Sequence, residues 1–382
     1  MESRRKIHPM RWLSPTRWLV LLALLAGCSS SRTNGGGSTA ASTSSTPPSA
    51  PKIASNDAGA TANEPDAGAA PAKEEASVDE PTFDEVLRVL FDDRSNMSSV
   101  FSACPSSLAG EARVRCLYDE RYKGDPKAAN LAYELWVKWK IVAGVEQGHT
   151  MNGGFRGSIK LEPAVPIKDD RKHLEWIVAA MRDFDQFFSE MDKHAKEHGG
   201  ALQRAGSPKP YRFRPLMLRF MRSVGRTTPS AYAHDWTIAW NVNGSLHTSA
   251  DAVRETLFHE IFHLNDFARV ASTGWSRPAM GAIYDPILKK CGAQSPCLLP
   301  YTPNETMVRG GTYYSFQQNN GDSLHEYAAE LALRYYREQR AVLRSLSPKP
   351  KAFKCGPPEN GKTWTLMRDE FFGGIDAVPA CP

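Results

Sequence analysis

No Cys-x-x-Cys pair occurs in these 382 residues, although the chain holds seven cysteines. A cysteine-ligated metal site is therefore not what the thiols favour. No internal repeat is evident. The apolar run from Trp18 to Leu25 is too short to cross a bilayer as a permanent helix. From Ser29 to about Pro81, Ser, Thr, Ala, Gly and Pro dominate and large apolar side chains are almost missing. Such a stretch cannot bury enough surface to offset chain entropy and reads as a flexible tether. Excess charge is lacking too. The first 27 residues hold five basic side chains and one acid, so of the formal +5 only about +1 belongs to the remainder. Nothing in that balance suggests nucleic-acid binding.

What is present at the start is an address. Arg4, Arg5, Lys6, Arg11 and Arg17 precede the apolar run, and Leu25-Ala26-Gly27-Cys28 follows it. This resembles a bacterial lipoprotein signal, which implies cleavage after residue 27, lipid on Cys28 and a firm membrane anchor. Ser29, rather than Asp, follows the cysteine, which in the enterobacterial sorting pattern points to the outer membrane. The expected organisation is thus signal peptide 1–27, tether 28–81 and a folded region 82–382 in the cell envelope. Export agrees with the six other cysteines, which lie close in sequence as Cys104 with Cys116, Cys291 with Cys297 and Cys355 with Cys381. Six cysteines allow fifteen pairings, of which the sequential one is the simplest.

The chemistry-bearing segment is His259-Glu260-Ile261-Phe262-His263. Thr248 or Ser249 can cap a helix there, Asp251 suits its first turn, and no Gly or Pro interrupts 250–272. On that helix His259 and His263 stand one turn apart and can grip one Zn2+, while Glu260 reaches the activated water. Val253, Leu257, Ile261 and Leu264 recur at helical spacing as its inward face. Trp236 to Val242 alternates, is rich in β-branched and aromatic residues and breaks at Asn243-Gly244, so it reads as a strand feeding the helix. The bland alternative is a buried helix whose histidines only satisfy core groups, but a Glu between them is costly to bury without a task.

Strand plus His-Glu-x-x-His helix resembles the zincin peptidases. The metzincin branch would need Gly and a third His, where this chain has Asp266-Phe267-Ala268-Arg269. Further on, Ser323-Leu-His-Glu326-Tyr-Ala-Ala-Glu330 is similar to the glutamate-ligand helix of the gluzincins, in the anthrax lethal factor group and with the two-acid spacing of thermolysin. The resemblance implies Glu326 as third metal ligand and Glu330 as the acid that orients His259 or His263. His325 stands where thermolysin has Asn. A competing reading makes Ser323-x-x-Glu326 a capping box, which would turn Glu326 back onto its own helix. Asp266, Asp285, Glu305 and Asp322 are the reserve ligands. Glu326 lies 63 residues after His263, a separation that implies an insertion.

That insertion, residues 273–321, lacks helical or strand periodicity and is expected to be a loop-rich lid or cleft wall. Within it, Tyr313 and Tyr314 are candidates to stabilise an oxyanion, a role gluzincins give to Tyr or His. Elsewhere, 83–91, 127–145 and 170–198 read as helices, the last with Leu174, Ile177, Met181, Phe184, Phe188 and Met191 as its buried stripe. Residues 155–162 and 211–224 read as strands, the latter despite Pro215. His173, His194, His198 and His234 have no ligand spacing.

The expected fold is α+β: a zincin-like two-lobed domain with a small upper-lobe sheet and long backing helix (82–272), and a mainly helical lower lobe (322–382). The expected function is a lipid-anchored zinc peptidase acting on peptide or protein substrates. The alternatives are a non-catalytic binding module on the same scaffold and a zinc amidase of cell-wall material.

Overall fold

The computed structural model describes residues 80–93, 97–152, 157–198, 211–308, 310–318, 322–347 and 351–382. The segments expected to be the signal peptide and the tether, with Cys28, lie outside them save for residues 80 and 81.

In chain order the elements are α1 (Phe83–Leu90), α2 (Met97–Ala103), α3 (Gly110–Arg121), α4 (Pro126–Trp139), β1 (Val142–Val145), β2 (His149–Asn152) and β3 (Ser158–Pro163). They continue with α5 (Arg171–Glu197), β4 (Met217–Ser223), β5 (Ala231–His234), β6 (Thr237–Asn241), α6 (Ala250–Arg269), α7 (Ser276–Cys291) and α8 (Ser295–Leu298). The last two are α9 (Ser323–Leu343) and α10 (Pro358–Phe371). The class is α+β, and among the described residues no helix is long and apolar enough to cross a membrane.

β4 and β6 form the centre of the sheet as a parallel pair, with Met217 opposite Thr237. β5 closes one side, antiparallel to β6. On the other side of β4, β1 runs parallel along Met217–Phe220 and β3 antiparallel along Met221–Ser223, with β2 beyond it. Side chains alternate between faces, as a pleated strand requires. Leu218, Phe220, Ile238 and Trp240 join the main core with α5, α6 and α9, while Met221 and Ala239 gather with Ile159 and Leu161 in a small second cluster. α1 lies so close to β1 that a Cβ on Gly144 would stand 2.0 Å from the Val89 carbonyl oxygen, so only glycine fits there.

Four expectations change. Residues 127–145 are a helix followed by a strand: α4 ends at Lys140 in the left-handed conformation (φ 53°). The following Ile-Val-Ala-Gly-Val run then suits the parallel strand β1 better than another helical turn. The 211–224 strand starts only at Met217, because Pro215 has no N–H for the ladder. On α5 it is Phe187 that is fully buried, with Phe188 half-buried. Residues 273–321 are not loop throughout, since they contain the 16-residue α7. Pro278 occupies its first turn, where the N–H lacks an intrahelical partner in any case, and buried Met280, Tyr284 and Ile287 outweigh the interior Pro286.

The pairs Cys104–Cys116, Cys291–Cys297 and Cys355–Cys381 are disulfides, the sequential pairing. Asp183 on α5 receives Arg340 of α9 (3.0 Å) and Arg344 (2.5 Å), which caps the end of α9. Burial raises the Asp183 pKa, but the donors from Arg340, Tyr336 and Arg344 outweigh it and hold the carboxyl below its usual range.

Candidate metal centre

Two helices build the site. α6 starts where Ser249 accepts the Ala252 N–H. Its Val253, Leu257, Phe258, Ile261 and Phe262 are fully buried in the core, which turns His259 and His263 toward α9. α9 is capped by Asp322, whose side chain accepts the Leu324 N–H at 3.1 Å. The capping-box reading is thereby corrected: the Ser323 hydroxyl instead donates to the Tyr284 oxygen at 2.9 Å, since the single Tyr284 proton goes to the Ser315 carbonyl. With the cap made by another residue, Glu326 reaches across to α6.

The Nε2 atoms of His259 and His263 are 3.1 Å apart, and Glu326 Oε2 lies 3.2 Å from the first and 3.5 Å from the second. Ligands about 2.0–2.1 Å from a tetrahedral ion would stand about 3.3–3.4 Å apart. The triangle therefore has the size of one face of such a coordination shell, and the three donors can hold a metal ion. Burial lowers the His259 pKa, yet Glu326 and Glu330 more than reverse this, so the ring strongly favours a positive charge. For Glu326 burial acts upward and the two histidines prevail, holding it well below its usual range. A cation among these donors would take the place of that proton.

Behind the triangle runs a hydrogen-bonded chain. His259 Nδ1 lies 3.1 Å from Glu330 Oε1, so Nδ1–H donates to the carboxylate and Nε2 is the atom that would give up its proton to a metal. Asn304 Nδ2 donates to Glu330 Oε2 (2.8 Å) and to the Glu330 carbonyl (2.9 Å). Arg337 in turn donates to Asn304 Oδ1 at 3.0 Å. Asn304 was not singled out from sequence, because an Asn in an aperiodic stretch carries no spacing signal.

Glu260 is 8% exposed beside the two histidines. Burial raises its pKa, against the pull of His259 and His263 and with added repulsion from Glu326. Tyr314 opens a short 3₁₀ turn, with its ring centroid 6.0 Å from that of His259. Burial and then Glu326 and Glu260 raise the pKa of its hydroxyl, which bonds to Glu326. The structure separates the two tyrosines, since Tyr313 pairs its backbone with Met307 and is buried in the core.

Three of the four reserve acids are engaged elsewhere. Asp322 and Asp285 bind Arg277, Asp266 binds Ser276 and His325, and Glu305 is exposed. Of the other histidines, His173 is buried and His194, His198 and His234 lie apart from the triangle. No family model, curated protein or solved structure matches this chain.

Proposed function

We propose that this protein is a zinc-dependent peptidase of gluzincin type, held in the bacterial envelope by lipid on Cys28. The reading is carried by the 3.1–3.5 Å triangle of His259, His263 and Glu326. Two imidazoles and one carboxylate form the donor set that zinc takes in hydrolases, with room for a further ligand. Zinc, when bound, supplies Lewis acidity to a scissile carbonyl and makes water a better acid. Glu260 takes a proton from the attacking water and returns it to the leaving nitrogen, a role its raised pKa suits. Tyr314 can turn its hydroxyl from Glu326 to the developing oxyanion. Glu330 holds the ring of His259 in the required tautomer.

The rival is a binding module that keeps the scaffold without chemistry, and an amidase would differ only in the substrate. Glu260→Gln distinguishes enzyme from module. Digestion of a peptide library by wild-type protein should fall ~10²- to 10⁴-fold in rate in the variant, with zinc content unchanged. Equal cleavage by both proteins would eliminate the mechanism, and cleavage by neither would favour the module.

A further inference from the structure

Asp266 lies three residues beyond His263 and is 0% exposed. Its Oδ1 accepts the Ser276 N–H at 2.7 Å, and its Oδ2 accepts the Ser276 hydroxyl at 2.8 Å and faces His325 Nδ1 at 2.9 Å. Ser276 Oγ is also 2.8 Å from that ring nitrogen. An ionised carboxylate only accepts, and Ser276 has a single hydroxyl proton, so Nδ1 carries the hydrogen of His325. The ring is closed in on other sides by Phe267, centroids 4.9 Å apart, and by Asp322, 3.8 Å from Nε2. Gly274, at φ +65°, passes so near that a Cβ would stand 2.6 Å from Asp266 Oδ2 and 2.8 Å from His325 Cε1.

His325 is the residue immediately before Glu326, and Asp266 is on the helix that carries both histidines. The contact thus joins the two halves of the metal triangle at a sequence separation of 59 residues, and Ser276 fastens the start of α7 to the same carboxylate. Side chains reach a metal along fixed vectors, so a shift of α9 along α6 by a fraction of an ångström would take Glu326 out of register with His259 and His263. A buried carboxylate holding three donors resists such a shift, since sliding would strand polar groups away from water.

We propose that Asp266 and His325 form a positioning strut that sets where Glu326 stands relative to the two histidines, and that this strut, besides Glu330, tunes metal affinity. The inference rests on the metal reading above. Neither residue touches the reacting atoms.

The test is zinc affinity of the full mature chain, measured by competition with a chromogenic chelator, together with melting temperature with and without zinc. Asp266→Asn keeps the shape but adds a donor where donors already converge, and should weaken zinc binding about 10- to 100-fold. His325→Asn retains an N–H close to the position of Nδ1 and should stay near wild type, whereas His325→Leu should behave like Asp266→Asn. A purely structural role would lower both melting temperatures together and leave zinc affinity, and so the zinc-induced shift, unchanged. Should Asp266→Asn fail to fold, the two His325 variants decide by themselves. Equal zinc affinity in wild type, His325→Asn and His325→Leu overturns the strut alone; absence of zinc affinity in wild type overturns the metal reading and the strut with it.

Discussion

Among the described residues two histidine pairs lie inside the fold, His263 half-buried and the other three rings buried, and they are opposites. His259 and His263 face Glu326, with Glu330 behind the first, and a positive charge among them is favoured. His173 and His247 sit under the sheet with ring centroids 5.6 Å apart, and His247 stacks on Trp240 at 4.0 Å. There the Trp240 N–H donates to His173 Nδ1 at 3.3 Å, while His247 Nδ1 bonds the Asn241 carbonyl at 2.9 Å and its Nε2 has no partner. Protonation would break the first bond or leave a buried N–H without an acceptor. Burial accordingly pushes the pKa of His173 down to about 4 and that of His247 to about 3, despite Asp170 acting upward on the former. Proximity and burial do not make a metal site; the facing carboxylates do.

The largest effect should come from removing a ligand. His263→Ala leaves one imidazole and one carboxylate, too few to close a site, so metal analysis of protein purified with zinc should fall from about one ion per chain to near none. Retention of a full equivalent would show that the triangle is not where metal binds. Next in size is Glu330→Gln, which weakens the acceptor behind His259. Zinc affinity should drop about 10- to 100-fold, by chelator competition, and an unchanged affinity would mean that the ring needs no such support.

The last effect is one of folding stability, and it belongs to the other pair. Because His173 and His247 have folded pKa values below the unfolded value of about 6.5, the unfolded chain binds more protons in acid. Their contribution is intact above pH 6.5 and is lost progressively as pH falls toward about 4 and about 3, amounting to a few kcal/mol for each ring. His247→Phe keeps the stack on Trp240 without a titrating group. Its denaturant midpoint should therefore fall less between pH 7 and 4 than that of wild type, and parallel curves would contradict the assignment.

The helix that carries His259 and His263 is legible in sequence because every local signal agrees: a Ser cap, an acid in the first turn, uninterrupted helix formers and an apolar face that leaves two histidines over. α5 and β6 are legible for the same reason. α7 is not, since Pro278, Gly281 and Pro286 speak against a helix and only tertiary packing of Met280, Tyr284 and Ile287 overrules them. The cap of α9 is ambiguous in sequence because Asp322 and Ser323 are both good caps. What decides is Tyr284, 39 residues away, which engages the Ser323 hydroxyl. Asn304 and the Asp266–His325 contact are invisible at the sequence level, being long-range pairings of residue types that most often sit in solvent.

Asn304 also limits how the stretch before α9 can move. Thr302 Oγ1 donates to the Asn304 carbonyl at 2.7 Å and bonds Ser315 Oγ at 3.0 Å, while Tyr284 donates to the Ser315 carbonyl at 3.0 Å. The base of the stretch is riveted to α7, and through Asn304 to the carboxylate that orients His259. Were this base to swing open like a hinged cover, it would withdraw support from the His259 imidazole. A fixed base avoids that conflict, and sequence variation is tolerated more readily at the exposed 305–307 and 310–311 than at 302–304 and 313–316.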